Sequence, residues 1–185
     1  MAQLLEGNRR HAAGQPTFIH DHPAAIKKHE VAAQAPFAAV LSCADSRVPV
    51  ELVSDQSGGR LFVARAAGNI APPDVIASLK HGVAVPGTKA ILVLGHANFN
   101  CGAVKTAMDR TAGPGQISGL YSFIQPAVDK APPHDLVAAI KANACIQASL
   151  LRKALPVIAA AVHEDRLKVA AACYDLASGR ARIPN

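Results

Sequence analysis

Four short apolar runs punctuate the chain, at residues 37–41, 61–64, 90–94 and 167–172. Each is continuous rather than alternating, which is the pattern of strands buried on both faces of a parallel sheet. Helical spacing fills the intervals. Pro72-Pro73-Asp74 opens a helix running to about Val85, and a second follows the 96–101 turn to about Arg110. A third, over residues 135–155, sets Leu136, Ile140, Ala144, Gln147 and Leu151 on one face. Pro156 breaks it, and a short helix to His163 follows. Residues 111–116 and Pro132-Pro133 read as loops within one domain. Residues 2–13 and 23–34 read as two further helical pieces. They have few strand partners within reach, so residues 1–34 are expected to form a helical arm packing on a partner subunit. Strands alternating with helices predict a single α/β domain over residues 1–185, with a mostly parallel central sheet of four to five strands flanked by helices.

Composition narrows this picture. A chain of 185 residues, half of them apolar, suits one domain with a sizeable core; without tryptophan, and with five Phe and two Tyr, that core is aliphatic. The first residues carry Glu6, Arg9, Arg10 and His11 where a signal peptide needs an apolar run. No stretch approaches the roughly 20 apolar residues of a membrane span. A soluble, cytoplasmic protein with no membrane partner is therefore expected. The formal charge of +6 comes from scattered residues, and the pairs Arg9-Arg10 and Lys27-Lys28 are not interleaved with aromatics. That describes a solvated surface rather than a nucleic-acid site, and a positive field also suits an anionic substrate or product.

In a cytoplasmic chain of this size, metal binding or catalysis is a better first reading of four cysteines than disulfides. Cys43 and Cys101 have polar residues and glycine around them, whereas Cys145 and Cys173 lie in apolar stretches and read as inert core. The first apolar run ends in Ser42-Cys43-Ala44-Asp45-Ser46-Arg47-Val48-Pro49, and the third in Gly95-His96-Ala97-Asn98-Phe99-Asn100-Cys101-Gly102. Ligands of open α/β sheets bind beyond the carboxyl ends of strands where the strand order reverses. If these two strands are neighbours there, Cys43, His96 and Cys101 converge as a zinc set that leaves a fourth position open. Asp45 and Arg47 alternate along the same segment, so a two-pronged ion pair can hold the carboxylate in the crevice. Taken singly, each of these residues is as well read as a core cysteine, a turn histidine or a local salt bridge. It is their grouping on two strand ends that makes a site.

The segment 42–49 resembles the Cys-x-Asp-x-Arg signature of β-class carbonic anhydrases. Residues 51–70 resemble the next block of that family, residues 91–104 its Gly-His-x-x-Cys-Gly block, and residues 167–179 its last core strand and turn. The resemblance covers nearly the whole chain. It implies zinc held by Cys43, His96 and Cys101, a catalytic dyad of Asp45 and Arg47, and hydration of carbon dioxide to bicarbonate by a zinc-bound hydroxide. It also implies substrate-binding roles for Gln34, Phe62 and Gly102. Gln34 and Phe62 often serve the neighbouring subunit's site in the family, which implies a homodimer or higher homo-oligomer. A zinc carrying two thiolates acidifies water less than an all-histidine zinc, so Asp45 is expected to help hold the hydroxide. His81 falls loosely where some members have a tyrosine.

Two departures stand out. The family usually places two residues between the ligand His and Cys; here there are four, Ala97, Asn98, Phe99 and Asn100. Either this loop bulges outward and the ligands still converge, or Cys101 is displaced and the metal site altered. The family's Asn-Ala-Gly-Asn reads Ala66-Ala67-Gly68-Asn69. The longer loop raises one alternative, a zinc hydrolase of carbonyl sulfide or carbon disulfide. Another is a non-catalytic zinc protein closed at the fourth position by Asp45. A dinucleotide site is disfavoured, because no Gly-x-Gly-x-x-Gly follows the first strand.

Overall fold

Five strands form one sheet: β1 (Ala38–Ser42), β2 (Leu61–Arg65), β3 (Ala90–Ala97), β4 (Lys168–Asp175) and β5 (Arg180–Arg182). Their order is β2-β1-β3-β4-β5, parallel from β2 to β4, with β5 pairing antiparallel at the edge. The computed structural model describes residues 1–17, 34–111 and 113–184. β1 and β3 are buried along their whole length, as continuous apolar runs require. The order reverses between β1 and β3, because the chain leaves β1 for β2 on one side and returns to β3 on the other. The expected switch point therefore lies between the two strands that precede the cysteine segments.

Seven α-helices occur among the described residues: α1 (Ala2–Ala12), α2 (Val50–Val53), α3 (Pro73–Ala84), α4 (Gly102–Met108), α5 (Tyr121–Lys130), α6 (Leu136–Arg152) and α7 (Val157–His163). α3 begins with Pro73 in its first turn, followed by Asp74, where a missing N–H costs nothing and a negative charge meets the helix dipole. Asp135 caps α6 by accepting the Ala138 N–H at 2.8 Å. Ile140, Ala144, Gln147 and Leu151 are buried on α6 as their spacing predicts. Alternate residues of β1 feed two layers. Ala39 and Leu41 pack with Leu79, Val83, Ala148, Leu151 and Ile158 of α3, α6 and α7, while Ala38 and Val40 pack with Leu4, Val50 and Val53 of α1 and α2.

The structure corrects several expectations. α1, the first piece of the expected arm, packs its inner face on its own chain. Leu4 is in the core, and the Asn8 side-chain amide donates to the Val53 and Gly179 carbonyls and accepts the Ala181 N–H. The segment 23–33 of the expected arm lies outside the described residues. α5 was not read from the sequence, since Pro126 sits inside it and a short 3₁₀ turn leads into it. Strand β3 continues past Leu94 to Ala97, so His96 lies within a strand rather than in the turn after it. Cys145 is exposed, not core. It follows the buried Ala144, and one step along a helix turns a side chain about 100°. Cys173 is buried, and burial pushes its thiol up to about 11.

Candidate metal centre

Cys43 is the first residue beyond β1, His96 the penultimate residue of β3, and Cys101 the N-cap of α4. One ligand atom from each lies within 4.8 Å of the other two, and all three side chains are buried. Of the two outcomes open for the four-residue loop, the first holds: the loop bulges outward and Cys101 is in place. Asn98, Phe99 and Asn100 all have left-handed backbones, with φ of 55°, 71° and 65°, and the Phe99 ring faces solvent. That run of positive φ turns the chain tightly enough to spend its extra length outside.

The Cys43 side is braced by backbone and arginine. The Gly68 N–H donates to Cys43 Sγ at 3.3 Å, and Arg65 donates to the carbonyl oxygens of Cys43 (3.0 Å) and Asp45 (2.5 Å). Gly68 has φ +72°, and a Cβ there would stand 2.8 Å from Ile124 Cδ1, so glycine is required on both counts. Its carbonyl accepts from the Asn143 side chain at 2.7 Å, and Gln147 Oε1 accepts the Ala71 N–H at 3.0 Å. Two buried amides of α6 thus fix the turn that contacts the sulfur. Arg65, Asn143 and Gln147 escaped the sequence reading. The one available signal was Gln147 standing in an otherwise apolar helical face.

Arg47 holds Asp45 as expected. Its backbone N–H and Nε donate to Oδ1, both at 2.9 Å, and Nη2 donates to Oδ2 at 2.7 Å. These bonds hold the Asp45 carboxyl down at about 2, with burial opposing them. Oδ2 lies 3.7 Å from His96 Nε2, so the carboxylate faces the ligand cluster. The Cys101 thiol donates to Cys43, which with the His96 ring and the Asp45 and Gly68 amides holds Cys43 down at about 4; the same bond, with burial, pushes Cys101 up. The bond they share thus splits the pair, making Cys43 the more acidic sulfur and Cys101 the less.

The remaining expected residues divide. Gly102 adjoins Cys101 as the first residue of α4, with open space where a Cβ would be. Phe62 packs against α3, its ring 6.2 Å from that of His81 and close against Gly82, in a different cluster from Cys43 and Cys101. Gln34 is exposed, and no bond among the described residues ties it to the site. Neither Phe62 nor Gln34 is brought to the cluster within this chain.

The donor set fits zinc. Two sulfurs and an imidazole are a borderline-soft ligand set, and one coordination position is left over. His96 is 0% exposed, and among the described residues neither ring nitrogen has an oxygen or nitrogen hydrogen-bond partner. Such an orphan carries the desolvation cost of its polar atoms, which a metal on one nitrogen would relieve. A family model described as carbonic anhydrase matches residues 38–181. A β-carbonic anhydrase of Coccomyxa, solved in complex with acetazolamide, is similar at TM-score 0.74 with 27% identity, over 97% of this chain and 84% of that one. This chain belongs to the β-carbonic anhydrase family. Carbonic anhydrase 2 of Mycobacterium tuberculosis is 37% identical over 132 residues, 68% of this chain and 61% of that protein. The match thus spans about three fifths of the relative's length. A carbonic anhydrase of Pseudomonas aeruginosa is 35% identical over 163 residues, 80% of this chain and 72% of that protein. One of two tetrameric β-carbonic anhydrases of the ascomycete Sordaria macrospora shares the fold at TM-score 0.78 and 22% identity, over 89% and 87% of the two chains.

Proposed function

We propose that this protein is a carbonic anhydrase, a zinc lyase that interconverts carbon dioxide and bicarbonate, with the metal held by Cys43, His96 and Cys101. The observation that carries the reading is the convergence of those three donors at the β1/β3 switch point, beside a carboxylate already fixed by arginine. Bound there, zinc would supply the Lewis acid that makes a water nucleophilic near neutral pH. Asp45 stays ionised and keeps lone pairs on Oδ1 and Oδ2 for the reacting water, so it accepts a hydrogen bond and orients the oxygen toward carbon dioxide. Arg47 keeps the carboxylate on the solvent side of the cluster and out of the fourth metal position. Gln34 and Phe62 act from the partner subunit, as polar contact and apolar wall, and the Gly102 turn closes the pocket. A homodimer or higher homo-oligomer follows, and it is supported by the two residues lying off the site within one chain. A cytoplasmic location is supported by four free cysteines, two of which the metal needs reduced.

Metal analysis combined with stopped-flow carbon dioxide hydration tests the proposal. One zinc per chain is expected, with activity lost on chelation and restored by zinc. Stoichiometric metal without hydration would leave a structural zinc protein. The longer loop no longer argues for carbonyl sulfide or carbon disulfide, because it leaves the three donors together; release of hydrogen sulfide faster than hydration would reverse that judgement. Arg47→Ala is expected to lower hydration more than it lowers zinc content, and equal losses would count against the dyad.

A further inference from the structure

The Arg47 guanidinium does more than pair with Asp45. Nη1 donates to the Phe99 carbonyl and Nη2 to the Asn100 carbonyl, each at 3.0 Å, while Nε and Nη2 hold the two oxygens of Asp45. One planar cation thus spans the Cys43 segment on one side and the Cys101 loop on the other. Arginine suits this, because its donors diverge in a fixed fork. The side chain is otherwise exposed, so packing does not fix it; its acceptors do.

The loop is built to offer those acceptors. Its three left-handed residues include a phenylalanine, a bulky residue for which φ of 71° is uncommon and strained. The Phe99 ring gains little there, since it stands in solvent at 68% exposure. The backbone conformation, not the side chain, is therefore what the position supplies. The loop's other side opens onto a groove of about 540 Å³ against Pro133, Leu136 and Val137. Behind the loop, the Asn98 side chain bonds to Asp175 and the Ala97 carbonyl accepts the Leu176 N–H. It is thus anchored behind to the β4–β5 turn and in front to Arg47.

We propose that the Phe99 and Asn100 carbonyls position Arg47, so that the lengthened loop between the two metal ligands serves as a second clamp holding Asp45 away from the metal. This rests on the reading of Asp45 and Arg47 as the dyad. It makes the loop a positioning element of the reaction rather than a tolerated insertion. The Phe99 ring is dispensable and the direction of its carbonyl is not.

Two substitutions at one position separate ring from backbone. Phe99→Pro forces φ to about −65° and swings the carbonyls away, while Phe99→Gly loses the same ring but keeps access to the left-handed backbone. With zinc content equal to that of the unsubstituted protein, Phe99→Pro is expected to lower kcat for hydration about tenfold. Phe99→Gly should lose no more than about threefold. Where the proline variant does not load zinc, Phe99→Val opposes the same φ through its branched Cβ, and a smaller fall in kcat is expected. The decisive readout is the double variant. If the loop acts through Arg47, adding Phe99→Pro to Arg47→Ala costs nothing beyond Arg47→Ala alone. Losses that multiply, or equal losses for the glycine and proline variants, overturn the proposal. Full activity in the proline or valine variant beside an impaired Arg47→Ala overturns it while the dyad stands. An Arg47→Ala protein as active as the original removes the dyad itself.

Discussion

Leaving β1, residues 43–47 are tied down by polar contacts: Arg65 takes two carbonyls, Ala66 accepts the Ala44 N–H, and Asp45 accepts the Arg47 N–H. Leaving β3, residues 98–100 stand exposed in a strained backbone held from its flanks. A buried sulfur marks each segment: Cys43 opens the first and Cys101 follows the second. Cys43 is placed by the last rung of β1 and the Gly68 turn, and Cys101 by being the N-cap of α4, whose Ala103 and Val104 amides face its sulfur. What differs is only the chain between the fixed points. Sulfur positions are set by the ends of strands and helices, so the intervening loop is free to lengthen and to take on other work.

The largest effect should come from testing whether the longer route truly delivers a ligand. Cys101→Ser replaces a soft donor by a weak hard one. Zinc affinity should fall by more than the roughly 100-fold that losing a group behind a ligand costs. Cys145→Ser, on the exposed face of α6, should change neither zinc content nor hydration. Retention of tight zinc by Cys101→Ser, read by competition with a chelator, would mean that the loop presents a sulfur the metal does not use.

A smaller effect contrasts the glycines behind the two segments. Gly68→Ala must strain a left-handed backbone and displace Ile124, and should cost about 1–3 kcal/mol in urea unfolding while loosening the Cys43 contact. Gly102→Ala meets no atom within 4 Å and should stay within about 0.5 kcal/mol. Equal costs at the two positions would deny that the Cys43 side is the tightly built one.

This asymmetry also explains what could be read in advance. The β1 segment was legible because its chemistry is local: Cys43, Asp45 and Arg47 alternate along five residues and act together. The strands and the facing of α6 followed from hydrophobic pattern, but the order of the strands did not: that β1 and β3 are neighbours entered only as a condition, and the structure supplies it. Arg65, Asn143 and Gln147 were not legible, because each serves the site through a backbone carbonyl or amide contributed by a distant turn, and no spacing rule encodes that. Cys145 was misread because an apolar neighbourhood in sequence is not a buried face on a helix. Arg47 contacting Phe99 and Asn100 depends on backbone direction, to which side-chain pattern is blind.

The smallest and sharpest difference between the two segments is a proton. Metal binding needs both thiols ionised. The bond they share holds Cys43 down and, with burial, pushes Cys101 up, so Cys43 is the sulfur that ionises first and Cys101 the one that holds its proton longer. Filling the site should therefore release one thiol proton per ion, not two. Cadmium, a soft ion whose thiolate bonds absorb in the ultraviolet, serves as the probe at about pH 7.5. Since the metal competes with that single proton, affinity should rise about tenfold per pH unit through the neutral range and flatten only where Cys101 ionises unaided. The sign follows from the raised group: lowering the pH restores the proton that blocks the site. Release of two protons, measured with a pH dye during the titration, would show both thiols protonated beforehand. It would remove the distinction between the braced sulfur and the one the loop delivers.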